Sequence, residues 1–295
     1  MGCVPKRMTI AAAQRQAMVV LRAAGIDSAG LDTRRLLAAA LGQSEAYLLA
    51  RSDDLLAAEP AQTFAGYIER RRRREPVSRI LGRQQFYGRS FAISPHTLDP
   101  RPDSETLIEA VLQLVRSEGA SSRPLRILDV GTGSGCLLLT LLCELPQATG
   151  LGTDLSAAAL SVARANAAAL GVHDRVAWLE RDLLENIGGD FHILVCNPPY
   201  LSSAAMATLE PEVAQFDPPL ALDGGPDGLA VFRRLSTRLG EVVGNGWVVL
   251  EVGHDQADGV AELLRRGPAV GPAAHVRFYT DVSGRRRCVA VRTRN

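Results

Sequence analysis

Four residues suited to holding a planar nitrogen group, Asn197-Pro198-Pro199-Tyr200, follow the apolar run 191–196. The Asn side chain offers both a hydrogen-bond donor and an acceptor, and two consecutive prolines restrict the backbone and remove N–H groups. These residues predict a stiff polar corner, closed by an aromatic ring, at the end of a buried strand. Such a corner could grip an amide or an amine, and a turn that merely ends the strand is the alternative.

A glycine-rich loop lies earlier in the chain, between a predicted strand and a predicted helix. It consists of Gly131, Thr132, Gly133, Ser134 and Gly135. Glycines let a backbone turn tightly and approach a ligand closely, so a flat adenosine-bearing molecule can lie over such a loop. The loop matches neither the GxxxxGK[ST] pattern nor the full GxGxxG spacing, which disfavours a phosphate-cradling loop and a dinucleotide site.

Two aspartates follow the next two predicted strands. Asp154 stands about twenty residues beyond the glycine loop, where a carboxylate can accept hydrogen bonds from two ribose hydroxyls. Asp182 follows the third strand, where its carboxylate could accept from an adenine amino group. Taken alone, each could instead cap a helix or a turn. Their occurrence at successive strand ends, beside the glycine loop, favours an adenosine site at that edge of a sheet.

The composition restricts the classes of partner. The 295 residues include 33 Lys and Arg against 32 Asp and Glu, a net charge of +1 that favours neither nucleic acid nor an anionic membrane. No apolar run approaches the roughly 18 residues of a membrane span, and the N-terminus does not resemble a secretory signal, so we expect a soluble cytoplasmic protein. The cysteines lack the spacing of a metal site and are expected to be buried free thiols: Cys3, Cys136, Cys143, Cys196 and Cys288.

Periodicity predicts three regions. From Met8 to about Arg74, apolar residues recur at three- and four-residue spacing, which predicts a helical domain over 1–75. Short runs broken by glycine predict a β-hairpin linker over 76–102. Alternating strands and helices predict an α/β domain over 103–295, with a mostly parallel sheet and a closing antiparallel hairpin. The predicted strands are 125–130, 149–154, 176–180, 193–196, 247–252, 275–279 and 288–291.

Two local features are interpreted as helix ends. The run Arg70–Arg74 could neutralise phosphates, but Glu75-Pro76 follows at once, so we interpret it as the solvated end of a helix, with partner docking as the alternative. Ser104 or Asp103 is expected to cap the helix that follows the second region.

The glycine loop, the Asp154 strand end and the NPPY corner together resemble the class I S-adenosylmethionine-dependent methyltransferases that modify planar nitrogens. Over nearly its whole length the chain is more narrowly similar to the PrmC (HemK) family, the peptide chain release factor N5-glutamine methyltransferases. NPPY alone is shared with adenine-modifying enzymes, so the narrower resemblance depends on further segments. These are Glu75-Pro76, Ile80-Leu81-Gly82, Phe86-Tyr87-Gly88, Pro100-Arg101-Pro102-Asp103-Ser104-Glu105, and the stretches 216–222 and 224–229.

This resemblance implies an α/β class I methyltransferase domain, with a Rossmann-like, mostly parallel seven-stranded sheet and a C-terminal antiparallel hairpin, together with a small N-terminal helical domain. It implies methyl transfer from S-adenosyl-L-methionine to the Gln amide nitrogen of the Gly-Gly-Gln loop of a class I release factor, with no metal. The cofactor would contact the glycine loop, Asp154, Asp182, Leu183 and Asn197.

The substrate amide is expected to meet the NPPY corner. Asn197 and the Pro198 carbonyl would accept its two hydrogens, Tyr200 would pack on the substrate, and Pro199 would keep the corner rigid. Pocket lining is further expected from Phe86, Arg101, Glu105 and Glu251.

Two rival activities remain open at the level of sequence. A glutamine methyltransferase acting on a large-subunit ribosomal protein would share the same site. An adenine-N6 nucleic-acid methyltransferase would share NPPY, but the neutral charge and the lack of a target-recognition domain disfavour it. We expect a monomer with no membrane partner and no direct nucleic-acid substrate.

Overall fold

A computed structural model describes residues 8–294, which form two compact units. The first contains the described residues up to Gly82 together with Pro211–Phe216, and the second contains Arg83–Glu210 and the chain from Asp217 onward. The first unit therefore extends beyond residue 75, the boundary expected from the sequence. Residues 77–81, which were assigned to the hairpin linker, form a helix of this unit.

The first unit is helical. Its first helix begins at a capping side chain, since the Thr9 hydroxyl accepts from the Ala12 N–H at 3.2 Å. Buried side chains such as Leu21, Leu36 and Phe64 fill its core. The helices are α1 (Ile10–Ala23), α2 (Ala29–Leu41), α3 (Glu45–Ala50), α4 (Ala58–Arg72), α5 (Val77–Leu81) and, from the later segment, α10 (Pro211–Phe216).

The arginine run is only partly solvated. The two arginines after Arg71 are exposed and pair with Glu69, as a solvated helix end requires. Arg71 itself is 6% exposed, and its guanidinium contacts Asp32 at 2.7 Å and Glu212 at 3.1 Å. The expectation of a solvated helix end is therefore wrong for Arg71, because the buried Asp32 and the partly buried Glu212, from distant parts of the chain, neutralise it.

The second unit is built on a seven-stranded sheet, in the order β5-β4-β3-β6-β7-β9-β8. Strands β3 to β7 are parallel, and β9 runs antiparallel to both β7 and β8, which confirms the predicted sheet and its closing hairpin. The strands are β3 (Arg126–Val130), β4 (Thr149–Asp154), β5 (Val176–Glu180), β6 (Ile193–Cys196), β7 (Trp247–Glu251), β8 (Val276–Thr280) and β9 (Arg286–Arg292).

Helices cover both faces of this sheet. Successive strand residues such as Ile127 and Leu128 belong to different hydrophobic clusters, because neighbouring side chains of a strand point to opposite faces. One cluster includes Leu107 and Leu138, and the other includes Phe232 and Val260. The helices are α6 (Glu105–Ser117), α7 (Cys136–Glu144), α8 (Ala157–Ala169), α9 (Ser203–Met206), α11 (Ala230–Ser236), α12 (Leu239–Val242) and α13 (Ala257–Arg266).

The hairpin is shorter than its predicted span. Strands β1 (Arg83–Phe86) and β2 (Arg89–Ala92) pair antiparallel, and Tyr87 and Gly88 turn the chain with φ of 48° and 71°. The Glu105 carboxylate accepts from the Tyr87 N–H at 2.7 Å, which ties the turn to α6.

Two further expectations concern the thiols and membranes. Cys196 and Cys288 are buried, whereas Cys136 and Cys143 are partly exposed; Cys3 lies outside the described residues. Over residues 8–294, the helices are all too short or too polar to cross a membrane.

Candidate active site

The carboxyl ends of β3, β4, β5 and β6 meet at a cavity of about 430 Å³. This is the edge where ligands bind in open parallel sheets, and the volume lies in the usual range for small-molecule sites. Among its lining residues are most of the glycine loop, Asp154, Asp182 and Asn197. The fold therefore brings together residues that are far apart in the sequence.

Left-handed backbone shapes the glycine loop. Gly131, Gly133 and Gly135 have φ of 71°, 56° and 80°, a region that favours glycine. A Cβ on Gly135 would also lie only 2.9 Å from the Leu139 side chain. The loop is fastened to the next strand, since the Thr132 N–H donates to the Thr153 carbonyl at 2.8 Å.

Asp154 supports the loop as well as facing the cavity. Its carboxylate accepts from the Gly133 N–H and from the Ser156 N–H, both at 2.9 Å. Ser156 caps α8 with its own hydroxyl, which accepts from the Ala159 N–H. Two backbone donors thus fix the orientation of the Asp154 carboxylate, and each oxygen retains capacity for a further donor.

Asp129, a residue absent from the predicted set, lies beneath the loop. It is fully buried, and its carboxyl accepts from the Thr132 hydroxyl at 2.6 Å. Burial raises the pKa of Asp129 to about 7. The sequence signal was an acid inside the apolar strand 126–130, since a buried carboxyl requires a dedicated partner.

Asp182 and Leu183 line the far side of the cavity. Asp182 pairs with Arg234 of α11 at 2.8 Å, and both side chains remain partly exposed. Leu183 has φ of 50°, which is uncommon for a residue with a branched side chain. Arg234 lines the same cavity and was not predicted, because no local pattern connects it to Asp182.

The first three residues of the NPPY corner form another part of the cavity wall. Asn197, Pro198 and Pro199 line the cavity, and the Asn197 side-chain nitrogen donates to the Ser104 hydroxyl at 3.2 Å. The Tyr200 side chain is mostly buried, and burial raises its pKa well above the usual value, so the phenol stays protonated. Its hydroxyl lies 3.5 Å from a Glu251 carboxyl oxygen.

The backbone of residues 222–224 is hydrogen-bonded to Leu201, the residue that follows the NPPY corner. The Leu201 N–H donates to the Leu222 carbonyl at 3.0 Å, and the Gly224 N–H donates to the Leu201 carbonyl at 2.8 Å. A Cβ on Gly224 would lie 2.7 Å from the Pro199 carbonyl oxygen. Glycine is required there because the two backbones touch, which gives the stretch 224–229 its role behind NPPY.

Of the four residues expected to line the pocket, one lines the cavity and three lie elsewhere. Arg101 lines the cavity and contacts the buried Asp217 at 2.5 Å. Phe86 and Glu105 lie elsewhere: Phe86 packs edge-to-face on Phe91 in the core, and Glu105 anchors the hairpin turn.

Glu251, the fourth, lies behind Tyr200 and is 1% exposed. Burial raises the pKa of Glu251 to about 7. Of the four residues, Arg101 lines the cavity as expected. Phe86 and Glu251 are buried instead, and Glu105 binds the turn of the hairpin.

Two protein-family models match parts of the chain. Residues 12–82 match the model of the PrmC N-terminal domain, and residues 104–214 match the methyltransferase small domain. The chain is 43% identical to the release factor glutamine methyltransferase of Rhodospirillum rubrum, over 93% of this chain and 82% of that protein. It is 41% identical to the protein of the same name from Caulobacter vibrioides, over 96% of each.

Among solved structures, the chain is similar to the N-terminal domain of human METTL16, crystallised with SAH. The TM-score is 0.50 at 19% identity, covering 70% of this chain and 76% of that one. This similarity concerns the fold alone and agrees with a class I methyltransferase architecture.

Proposed function

Because the chain belongs to the release factor glutamine methyltransferase family, we propose that it methylates the Gln side-chain amide in the Gly-Gly-Gln loop of a class I release factor. The methyl donor is S-adenosyl-L-methionine, whose sulfonium supplies an activated methyl group. The observation that carries the proposal is the NPPY corner, which shares one cavity with the glycine loop and Asp154.

The residues around the cavity fit this donor. The Asp154 carboxylate, already oriented by two backbone N–H groups, suits a pair of ribose hydroxyls. Leu155 lines the cavity with 51% of its surface exposed, and together with Leu183 it offers an apolar surface for a purine ring. The Asp182 oxygen that Arg234 does not contact is available to the adenine amino group.

On the acceptor side, Asn197 and Pro198 hold the substrate amide. The Asn197 side-chain oxygen and the Pro198 carbonyl accept the two amide hydrogens, which directs the nitrogen lone pair at the methyl carbon. Pro199 keeps the corner rigid, and Tyr200, which packs on the core and is not among the cavity-lining residues, supports the corner from below. Alignment of this kind lowers the barrier because the reacting atoms need not search for each other.

The transfer needs no strong base. The nitrogen lone pair forms the new N–C bond, the S–C bond breaks with its electron pair retained by sulfur, and one amide proton is then lost to water. Tyr200, with its raised pKa, keeps its proton throughout. His96 lines the cavity, but this reaction assigns it no proton transfer.

Three acceptors distinguish the proposed activity from its rivals. The full-length protein is incubated with methyl-labelled S-adenosylmethionine and, separately, a class I release factor, large-subunit ribosomal proteins, or DNA. We expect label on the release factor, and its loss when the acceptor Gln is replaced with Ala. Label only on a ribosomal protein, only on DNA, or on none of the three would overturn the proposal.

A further inference from the structure

A chain of four polar side chains runs behind the NPPY corner. The Asn197 side-chain nitrogen donates to the Ser104 hydroxyl at 3.2 Å. Glu251 Oε2 is buried and has no hydrogen-bond partner among the described residues, and the nearby Ser104 hydroxyl lowers the pKa of this carboxyl. The Tyr200 hydroxyl approaches the same carboxyl at 3.5 Å. Ser104 and Glu251 are 3% and 1% exposed, so water does not compete for these contacts.

Ser104 does not play the role that its position in the sequence suggests. It stands at the N-cap of α6, where a serine hydroxyl usually accepts from a backbone N–H of the first turn. Among the described residues, its hydroxyl makes no such capping bond. The expected cap by Ser104 or Asp103 is therefore wrong: Asp103 pairs with Arg287 at 2.6 Å, and Ser104 turns towards Asn197.

The direction of these hydrogen bonds follows from the chemistry of the groups. A serine hydroxyl has one hydrogen to donate, and an ionised carboxylate can only accept. If Ser104 donates to Glu251, its oxygen can only accept from Asn197. The Asn197 amide must then present its nitrogen to Ser104, which leaves its oxygen for the substrate.

We propose that Ser104, polarised by Glu251, is a positioning residue that holds the Asn197 amide with its oxygen towards the substrate. This inference rests on the proposed function, since the amide oxygen of Asn197 matters because the substrate offers N–H groups. Without Ser104 the amide can turn over and present its own N–H groups, which repel those of the substrate.

The charges around Glu251 are consistent with an ionised, accepting carboxylate above neutral pH. Arg287 faces it from β9 and lowers its pKa, while Asp103 raises it. Tyr200 faces it from the corner, and the buried thiols of Cys196 and Cys288 lie within its electrostatic reach. Assays are therefore best done at about pH 8.5, above the pKa of about 7 that burial gives Glu251.

Ser104→Ala, Ser104→Thr and the control Ser117→Ala test this role in the full-length protein. Ser117 lies on the same helix, and its hydroxyl donates to a backbone carbonyl far from the cavity. We expect Ser104→Ala to lower kcat about tenfold while leaving the KM for S-adenosylmethionine within about twofold. Ser104→Thr, which keeps the hydroxyl, should recover most of the rate, and Ser117→Ala should match the wild type.

A double-mutant cycle with Glu251→Gln separates positioning from general weakening of the fold. If both residues act through one chain of hydrogen bonds, Ser104→Ala/Glu251→Gln should be hardly slower than the slower single variant. Losses of kcat that multiply would overturn the inference, as would a wild-type rate for Ser104→Ala or a failure of Ser104→Thr to recover.

The wild-type control distinguishes this inference from the proposed function. If the wild type does not label release factor, the function fails. If it does, and Ser104→Ala labels equally fast, only the positioning role fails.

Discussion

Asn197 is the residue whose loss should cost most at the reacting atoms. Replacing it with Ala removes the oxygen that we assign to one substrate N–H and should lower kcat roughly hundreds-fold, as loss of one such partner costs a few kcal/mol. Asn245→Ala is a suitable control, because the exposed Asn245 is not among the cavity-lining residues and its side-chain oxygen accepts from Arg292 at 3.3 Å. Single-turnover labelling of the release factor measures the effect, and normal turnover by Asn197→Ala would contradict the assigned role.

Asp154 should affect cofactor binding rather than the chemical step. In Asp154→Asn a single oxygen replaces two, so either the Gly133 or the Ser156 N–H loses its acceptor. We expect the Kd for S-adenosylmethionine to rise about 10- to 100-fold, the usual value of a charge-assisted hydrogen bond. Calorimetric titration checks this against Asp174→Asn, an exposed aspartate, and equal affinity in both variants would refute it.

Because Glu251 is a buried acid, it should make the free energy of unfolding depend on pH. Its pKa is about 7 in the folded protein against 4.5 ordinarily, so the folded state holds this proton more tightly than the unfolded chain. This contribution is fully present below about pH 4.5 and is lost as the pH rises to about 7. Between about pH 4.5 and about pH 7 the wild type should therefore lose about 3 kcal/mol of its free energy of unfolding, and Glu251→Gln should not show this loss.

Denaturant titrations at several pH values test this expectation. Glu241→Gln is the control, because Arg238 lowers the pKa of Glu241, which is then ionised in both states above about pH 5.5. Its difference from the wild type should stay constant from there to about pH 7.5. A constant difference for Glu251→Gln as well would show that Glu251 is not a buried acid.

Among the elements, the loop behind NPPY depends on one close backbone approach. Gly224→Ala would bring a Cβ to 2.7 Å from the Pro199 oxygen and 2.8 Å from the Gly228 oxygen, neither of which can move as a flexible side chain can. We expect a loss of roughly 1 to 3 kcal/mol of stability, as for other overpacked sites, and a lower kcat because the corner shifts. Thermal unfolding and labelling rates measure both effects.

Gly259→Ala is the matched control in α13. Apart from Gly259 itself, its two chain neighbours and the backbone of its own helix, no described atom lies within 4 Å of a Cβ built there. The substitution should stabilise the helix by up to about 1 kcal/mol and leave turnover unchanged. Equal effects of the two substitutions would mean that Gly224 is not selected for its contact with the corner.

Elements with strong local signals were predictable from the sequence. The seven strands were predicted near their true positions, because apolar runs and the intervening helical periodicity are local patterns. The glycine loop, Asp154 and Asn197 were found because they end predicted strands. Contacts such as Arg234 with Asp182 and Ser104 with Asn197 join distant segments, and no local pattern encodes which partners meet.

At the scale of the whole molecule, the net charge is only +1, but neighbouring arginines differ in how far they are exposed to solvent. Arg72 and Arg73 pair with Glu69 at the surface, where a salt bridge contributes little. Arg71 is instead shared by two carboxylates that are themselves largely buried, Asp32 and Glu212. Sequence alone could not separate them, since adjacent residues of a helix point in different directions and only the folded unit shows which one faces inward.

Arg71→Met therefore tests whether the stability of the first unit depends on this buried charge. Removing one member of a buried ion pair typically costs about 3 to 5 kcal/mol, and here the buried Asp32 carboxylate loses its cation, whereas Glu212 keeps its pair with Arg74 at 2.7 Å. Arg73→Met, which loses only an exposed pair, should change the free energy of unfolding by less than about 1 kcal/mol.

Hydrogen exchange of α1, α2 and α4 amides reports on this unit separately from the sheet. Adding Asp32→Asn to Arg71→Met should recover part of the loss, because the stranded charge of Asp32 disappears. If Arg71→Met and Arg73→Met were equally mild, Arg71 would be held by packing of its stem and not by its charge.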